Sequence, residues 1–300
     1  MIIFAPGGKP DSYGKRKFPQ DLPDYLAQFG LNGFEFECGR GVNISKETYD
    51  FFCRVRSPLR TEESRDAEDS VPYKAPLHLS LHTPYYISLS SPEAETRLKS
   101  INYILQSAEA AKKLGAQRIV VHSGSCSKMT REEALELAKD TLKRARAALI
   151  ENDFSDIIIC PETMGKINQL GTLEEVIELC KVDESFLPCI DFGHLNARTH
   201  GAIKTKADYK RILDEIENKL GIETAKRTHI HFSKIMYTAG GEKTHLTFED
   251  SEAFQYGPDF EPLMEVIAER KYEPFIVCES QGTQAEDAMK MREYYENLCN

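Results

Sequence analysis

The chain has 300 residues, 41% of them apolar, and 38 basic against 48 acidic side chains give a formal charge of −10. Core size is not limiting, and the acidic balance argues against a protein that holds nucleic acid or anionic membrane over its whole surface, while leaving room for a local basic face. The longest apolar runs, such as 119–121 and 157–160, are strand-sized, far below the roughly 20 residues that span a bilayer. The amino terminus has no basic stretch ahead of an apolar run, and the eight cysteines form no Cys-x-x-Cys pair. Together these features point to a reducing, cytoplasmic compartment and no membrane partner.

In chain order, short β-rich runs alternate with stretches of helical period. Residues 2–5 and 33–38 read as the first strands, with helices at 21–30 and 46–56. A polar, charged stretch follows at 57–76 and reads as an exposed excursion. Further strands are expected at 77–82, 119–122, 157–162, 187–191, 229–233 and 275–279, and helices at 92–114, 131–152, 173–180, 207–220, 260–271 and 285–298. The helical reading is clearest in the first of these, where Leu98, Ile101, Ile104, Leu105, Ala108 and Ala111 recur at mostly three or four before Gly115. Eight βα units in one chain predict an α/β fold, a (β/α)8 barrel spanning 1–300 as a single domain. A doubly wound sheet would carry a glycine-rich phosphate turn after its first strand, and Gly7, Gly8 and Gly14 make no such motif.

Barrel enzymes take their catalytic groups from the carboxyl ends of the strands. Here six strands in succession end in a metal-ligand residue type: His82, His122, Glu162, Asp191, His231 and Glu279. His194 and His245 lie in the following loops. A lone histidine in such a loop is ordinarily solvated, but a chain with eight histidines has no compositional reason to set five of them on one rim beside three carboxylates. Unpaired carboxylates in one mouth repel, and divalent cations neutralise them. Mixed imidazole and carboxylate ligation suits zinc, and eight candidate ligands exceed what one four-coordinate ion needs. His78 and His229 fall deeper on the same strand faces and read as supporting residues; His200 is assigned nothing. Cys160, Cys189 and Cys278 read as small buried hydrophobes. Loop residues including Lys9, Arg40, Lys128, Lys166, Arg198, Lys206, Lys234 and Lys243 would give the acidic protein a basic mouth suited to a polyanion, against which Glu242, Glu249, Asp250 and Glu252 weigh.

The strand-end segments His82-Thr-Pro-Tyr85, Val121-His122-Ser-Gly-Ser125, Pro161-Glu162-Thr-Met-Gly165, Cys189-Ile-Asp191-Phe-Gly-His194, His231-Phe-Ser-Lys234 and Val277-Cys-Glu279-Ser, in that order, resemble the endonuclease IV family of zinc-dependent abasic-site endonucleases on a xylose isomerase-like barrel. The resemblance covers roughly residues 77–280. It implies two or three zinc ions: one held by His82, His122 and Glu162; a second by Glu162, Asp191, His231 and Glu279; and a third by His194 and His245. A zinc-bound hydroxide would cleave damaged double-stranded DNA 5′ to an abasic deoxyribose, with Glu162 and Glu279 as catalytic carboxylates. Tyr85 matches the position from which the family inserts a side chain into the duplex, and Lys234 and Lys243 would contact DNA. Three departures stand out: Lys243-Thr-His245 where the family has Asp-x-His, Phe4-Ala-Pro-Gly7 in the first strand, and a degraded Leu-Gly-x-Gly segment after His245. Lysine has no lone pair to offer a cation, so the third site lacks a ligand unless Glu242 or water supplies it. The quartet Glu162, Asp191, His231 and Glu279 alone resembles the single-metal set of related sugar epimerases, whose two glutamates would move protons on a small sugar.

Overall fold

A computed structural model describes residues 1–56, 77–250 and 253–299; the stretch 57–76 lies outside the described residues. The strands run as β1 (Ile3–Pro6), β2 (Gly33–Glu37), β3 (His78–His82), β4 (Arg118–His122), β5 (Ile158–Glu162), β6 (Cys189–Asp191) and β7 (His229–Phe232). A hairpin, β8 (Lys234–Thr238) with β9 (Gly241–Leu246), precedes the last strand, β10 (Phe275–Cys278). All but the hairpin strands form one parallel sheet in the order β1-β10-β7-β6-β5-β4-β3-β2. Its two edges meet where Gly7 bridges Glu35 and the Gly8 amide donates to the Glu35 carbonyl at 3.0 Å. Asn32 stitches the other end of this seam, accepting from the Phe4 amide at 2.9 Å and donating to the Ile2 carbonyl at 3.1 Å. A Cβ on Gly33 would sit 2.5 Å from a methyl of Ile3, so glycine is what lets the strands approach. The result is the expected barrel, nearly closed.

Helices cover the outside: α1 (Leu22–Gln28), α2 (Lys46–Arg56), α3 (Ala94–Leu114), α4 (Arg131–Glu151), α5 (Leu173–Cys180), α6 (Phe192–Arg198), α7 (Lys206–Leu220), α8 (Ile222–Lys226), α9 (Ala253–Tyr256), α10 (Glu261–Arg270) and α11 (Gln284–Cys299). Their starts are written locally. Thr130 with Glu133 caps α4 and Thr172 with Glu175 caps α5, each pair satisfying two amides that a helix start leaves open. Gly115 ends α3 in the left-handed region at φ 83°. The elements not anticipated include α6, which starts directly after β6, the short helices α8 and α9, and the β8–β9 hairpin. No helix among the described residues is long and apolar enough to cross a membrane.

The main core lies between strands and helices, with Ile104, Leu142, Val176, Ile216 and Ile267 fully buried. A second, smaller cluster fills the barrel. Val120, Cys160 and Cys189 point inward two residues before His122, Glu162 and Asp191, as strand alternation requires. This layer is the apolar floor on which the strand-end groups stand. Burial pushes the Cys160 thiol up to about 12, in keeping with a packing role.

Candidate metal centre

Strand alternation carries the last inward residue of each barrel strand into one mouth, and the donor atoms collect around Glu162. Its Oε2 lies 3.3 Å from His82 Nε2 and 3.4 Å from His122 Nε2, while its Oε1 lies 3.2 Å from His231 Nδ1 and 3.4 Å from His194 Nδ1. Three sets of side chains each place one donor atom per residue within 4.8 Å of the others: His82, His122 and Glu162; Glu162, Asp191, His231 and Glu279; and His194, Glu242 and His245. The structure thus brings together all eight residues expected on the rim, and adds Glu242. Several rings are oriented by their second nitrogen or by neighbours. His82 Nδ1 lies 2.9 Å from the Thr83 carbonyl, and His245 Nδ1 lies 3.0 Å from Ser233 Oγ and 3.2 Å from the Glu279 carbonyl. Asp191 Oδ1 caps α6 by accepting from the His194 amide at 2.7 Å, which leaves Oδ2 buried with no hydrogen bond.

Glu242 reaches the third set because the hairpin is irregular. Met236 pairs with Thr244, but Tyr237 pairs with Glu242, so Lys243 is the extra residue of a β-bulge. In a regular strand 243 and 245 would share a face; the bulge resets the alternation and puts Glu242 beside His245 instead. Glu242 Oε2 lies 3.4 Å from His194 Nε2, and its Oε1 lies 4.0 Å from His245 Nε2. Lys243 is left exposed at the edge of the cavity. The hairpin tip is tied to the loop after β5 by the Glu242 amide to the Gly165 carbonyl at 3.1 Å and the Ile167 amide to the Gly240 carbonyl at 3.1 Å. Gly241 adopts φ +90°, and a Cβ there would meet the Gly165 carbonyl oxygen at 2.2 Å. Gly241→Ala is therefore expected to push the tip off this loop and withdraw Glu242, lowering the bound metal count by one while the barrel stays folded. Metal analysis alongside circular dichroism checks this.

The sequence reading missed two further carboxylates. β2 reads Gly-Phe-Glu-Phe-Glu, with Glu35 fully buried inside the barrel and Glu37 lining the mouth. Tyr85 lies across this rim, its ring 5.3 Å from that of His122 at 20° and its hydroxyl donating to Glu37 at 3.3 Å. A Cβ on Gly39 would strike the Tyr85 ring at 2.3 Å, so glycine makes room for it. The expected basic mouth is not what forms. Lys234 is 6% exposed, pairs with Asp259 at 2.8 Å and does not line the cavity, because it begins β8 and turns away from the barrel axis. Arg198 donates to the Met164 and Gln169 carbonyls, and Lys206 pairs with Glu265 and Glu269. Lys166 and Lys243 are the cationic side chains lining the cavity among the described residues, beside Glu37, Glu162, Glu242 and Glu279.

The electrostatics follow from this crowding. Burial would raise the Glu162 carboxyl, but hydrogen bonds from His194, His231 and His82 hold it well below its ordinary range. Glu279 goes the other way: burial, with Asp191, Glu162 and Glu37 adding to it against His231, pushes it up to about 8. Burial drives His122 down to about 3 despite Glu162. Against burial, Glu37 and Glu162 hold His82 up to about 10, and His194 and His231 are likewise raised by carboxylates around them, so a divalent cation binding there would displace their protons.

A barrel with nitrogen and oxygen donors converging at the carboxyl ends of its strands defines the class. The family model described as xylose isomerase-like TIM barrel matches residues 23–297, and the chain belongs to that family. An uncharacterized protein of Methanocaldococcus jannaschii is 31% identical over 296 residues, 99% of this chain and 98% of the other. A probable endonuclease 4 of Malacoplasma penetrans is 31% identical over 162 residues, 52% of this chain and 53% of that protein. Among solved structures, a D-tagatose 3-epimerase-like protein superposes with TM-score 0.69 at 17% identity over 100% of this chain and 98% of its own. Endonuclease IV from Thermus thermophilus does so with TM-score 0.66 at 19% identity over 98% of each chain. The backbone alone therefore does not choose between the two activities.

Proposed function

We propose that the protein is a divalent-metal-dependent phosphodiester hydrolase acting on DNA, cutting 5′ to abasic sites. The observation that carries this reading is the presence of three donor sets where a single-metal isomerase needs one. The donors fit such ions: four buried or half-buried carboxylates face five imidazoles, and Asp191 Oδ2 is buried without a hydrogen bond. His82, His122 and Glu162 would hold one ion, Glu162, Asp191, His231 and Glu279 a second, and His194, Glu242 and His245 a third, zinc being the metal this donor mix suits. Bound there, the ions would supply the positive charge that acidifies water and neutralises phosphate. The chain's own groups do the rest. Glu162 ties two donor sets together through its two oxygens, and Glu279 adds a carboxylate to the second set, 3.2 Å from His231 Nδ1. Tyr85 offers an exposed aromatic face on which an unstacked base or sugar can rest. Lys166 and Lys243 can meet phosphates at the rim, so DNA would be held at the mouth and weakly elsewhere, as the net charge requires.

A second reading, a sugar isomerase or epimerase with one metal at Glu162, Asp191, His231 and Glu279, draws on Glu37, which adds a further carboxylate to the mouth. Metal analysis of protein purified without added zinc separates the two. Two or three ions per chain with strand cleavage at a tetrahydrofuran abasic analogue supports the hydrolase. One ion per chain, with no cleavage and with epimerisation of a ketose, overturns it.

A further inference from the structure

We propose that Glu35 is a positioning residue for His231, holding the ring so that Nδ1 faces the metal-binding carboxylates. The inference rests on the reading of His231 as a metal ligand. Glu35 is 0% exposed, in the middle of β2 inside the barrel, where an apolar side chain would be buried at lower desolvation cost. Its two carboxylate oxygens face polar groups of the barrel interior. Ser80 Oγ donates to Oε2 at 2.7 Å, and His229 Nε2 lies 3.1 Å from the same oxygen. These contacts pin the carboxylate and direct Oε1 to His231, whose Nε2 is 2.9 Å away. Both atoms are buried and make no hydrogen bond, so they face each other as an ion pair. On the opposite side of the ring, Nδ1 lies 3.2 Å from both Glu162 Oε1 and Glu279 Oε1. The imidazole therefore spans two layers of carboxylate, one below it inside the barrel and one above it in the mouth.

This line of carboxylate, imidazole and ligand site is the arrangement by which an outer partner fixes which ring nitrogen offers its lone pair. Although one Glu35 oxygen is within 4.8 Å of Glu37 and Glu279, Ser80 and His229 bond to Oε2 and the His231 ring faces Oε1. Glu35 thus stands beneath the ligands and acts through His231.

The test is zinc binding to the full-length chain by competition with a chromophoric chelator, for wild type, Glu35→Gln, Glu35→Asp and Ser80→Ala. Circular dichroism of the metal-free proteins reports the fold. Glu35→Gln is expected to weaken one class of zinc site by about 10- to 100-fold, with Glu35→Asp and Ser80→Ala intermediate. The visible spectrum of the Co2+-loaded protein should change in Glu35→Gln for that one site. If Glu35→Gln fails to fold, the Asp variant carries the same comparison. Wild-type affinity and stoichiometry in Glu35→Gln overturns the positioning role and leaves the proposed hydrolase standing. A wild-type chain that binds no zinc overturns the hydrolase reading itself, and the ligand role of His231 with it.

Discussion

Replacing Glu162 with glutamine is expected to abolish turnover and to remove bound metal while leaving the fold intact. Both carboxylate oxygens are in use: Oε2 faces His82 and His122 at 3.3 and 3.4 Å, and Oε1 faces His231 and His194 at 3.2 and 3.4 Å. Glutamine keeps the volume but turns one oxygen into an amide that donates, so one pair of imidazoles loses its acceptor and any cation between them loses its shared ligand. The hydrogen bonds that hold Glu162 ionised against burial would be lost with the charge. The expected loss in turnover is on the order of 10³-fold or more, the scale seen when one member of a catalytic constellation is removed. The metal count should fall by at least one. The fold should survive because Val120, Cys160 and Cys189 beneath the site keep their packing. Steady-state cleavage of an abasic duplex, with metal analysis of the same sample, checks both parts. Wild-type turnover in Glu162→Gln would take Glu162 out of the centre.

Most of the rim was legible because two regular rules act together. Alternation with period two fixes which side chains face the barrel axis, and the topology places strand ends at one mouth. His82, His122, Glu162, Asp191, His231 and Glu279 follow from those rules without any knowledge of contacts. What escaped the sequence reading lies where a rule is locally broken or read the wrong way. Glu35 and Glu37 alternate with Phe34 and Phe36, a pattern that in a half-exposed strand would put the glutamates in water. In a barrel covered by helices the phenylalanines face the helices, and the glutamates face inward. The same alternation held the signal, had both faces been taken as buried. Lys234 was expected at the mouth because it follows His231 closely, but β8 leaves the barrel there to pair with β9, and its ammonium goes to Asp259. Single-residue slips such as the bulge at Lys243 have no composition signature, since they are set by pairing across the hairpin.

That slip decides the second large expected effect, the contrast between Glu242→Gln and Lys243→Asp. Read against an Asp-x-His pair, Lys243 looks like a missing ligand and Lys243→Asp like its repair. The bulge says otherwise: Glu242 already stands between His194 and His245, and position 243 is exposed at the edge of the cavity. Glu242→Gln is therefore expected to lower the bound metal count by one and turnover by on the order of 10²-fold, the scale of losing one source of transition-state charge stabilisation. Lys243→Asp should leave the metal count unchanged. Its effect should fall on DNA affinity, with a salt dependence shallower by about one phosphate contact. The double variant, Glu242→Gln with Lys243→Asp, distinguishes the two geometries. With the bulge in place the new aspartate points away from the histidines, and the metal count stays low. Recovery of the lost ion in the double variant would mean that β9 can slide by one residue, so that the hairpin register rather than the identity of the acid sets the third site. The Gly165 and Gly241 contacts oppose that slide, because moving the tip by one residue would bring a side chain to the place of Gly241, where a Cβ would meet the Gly165 carbonyl oxygen at 2.2 Å.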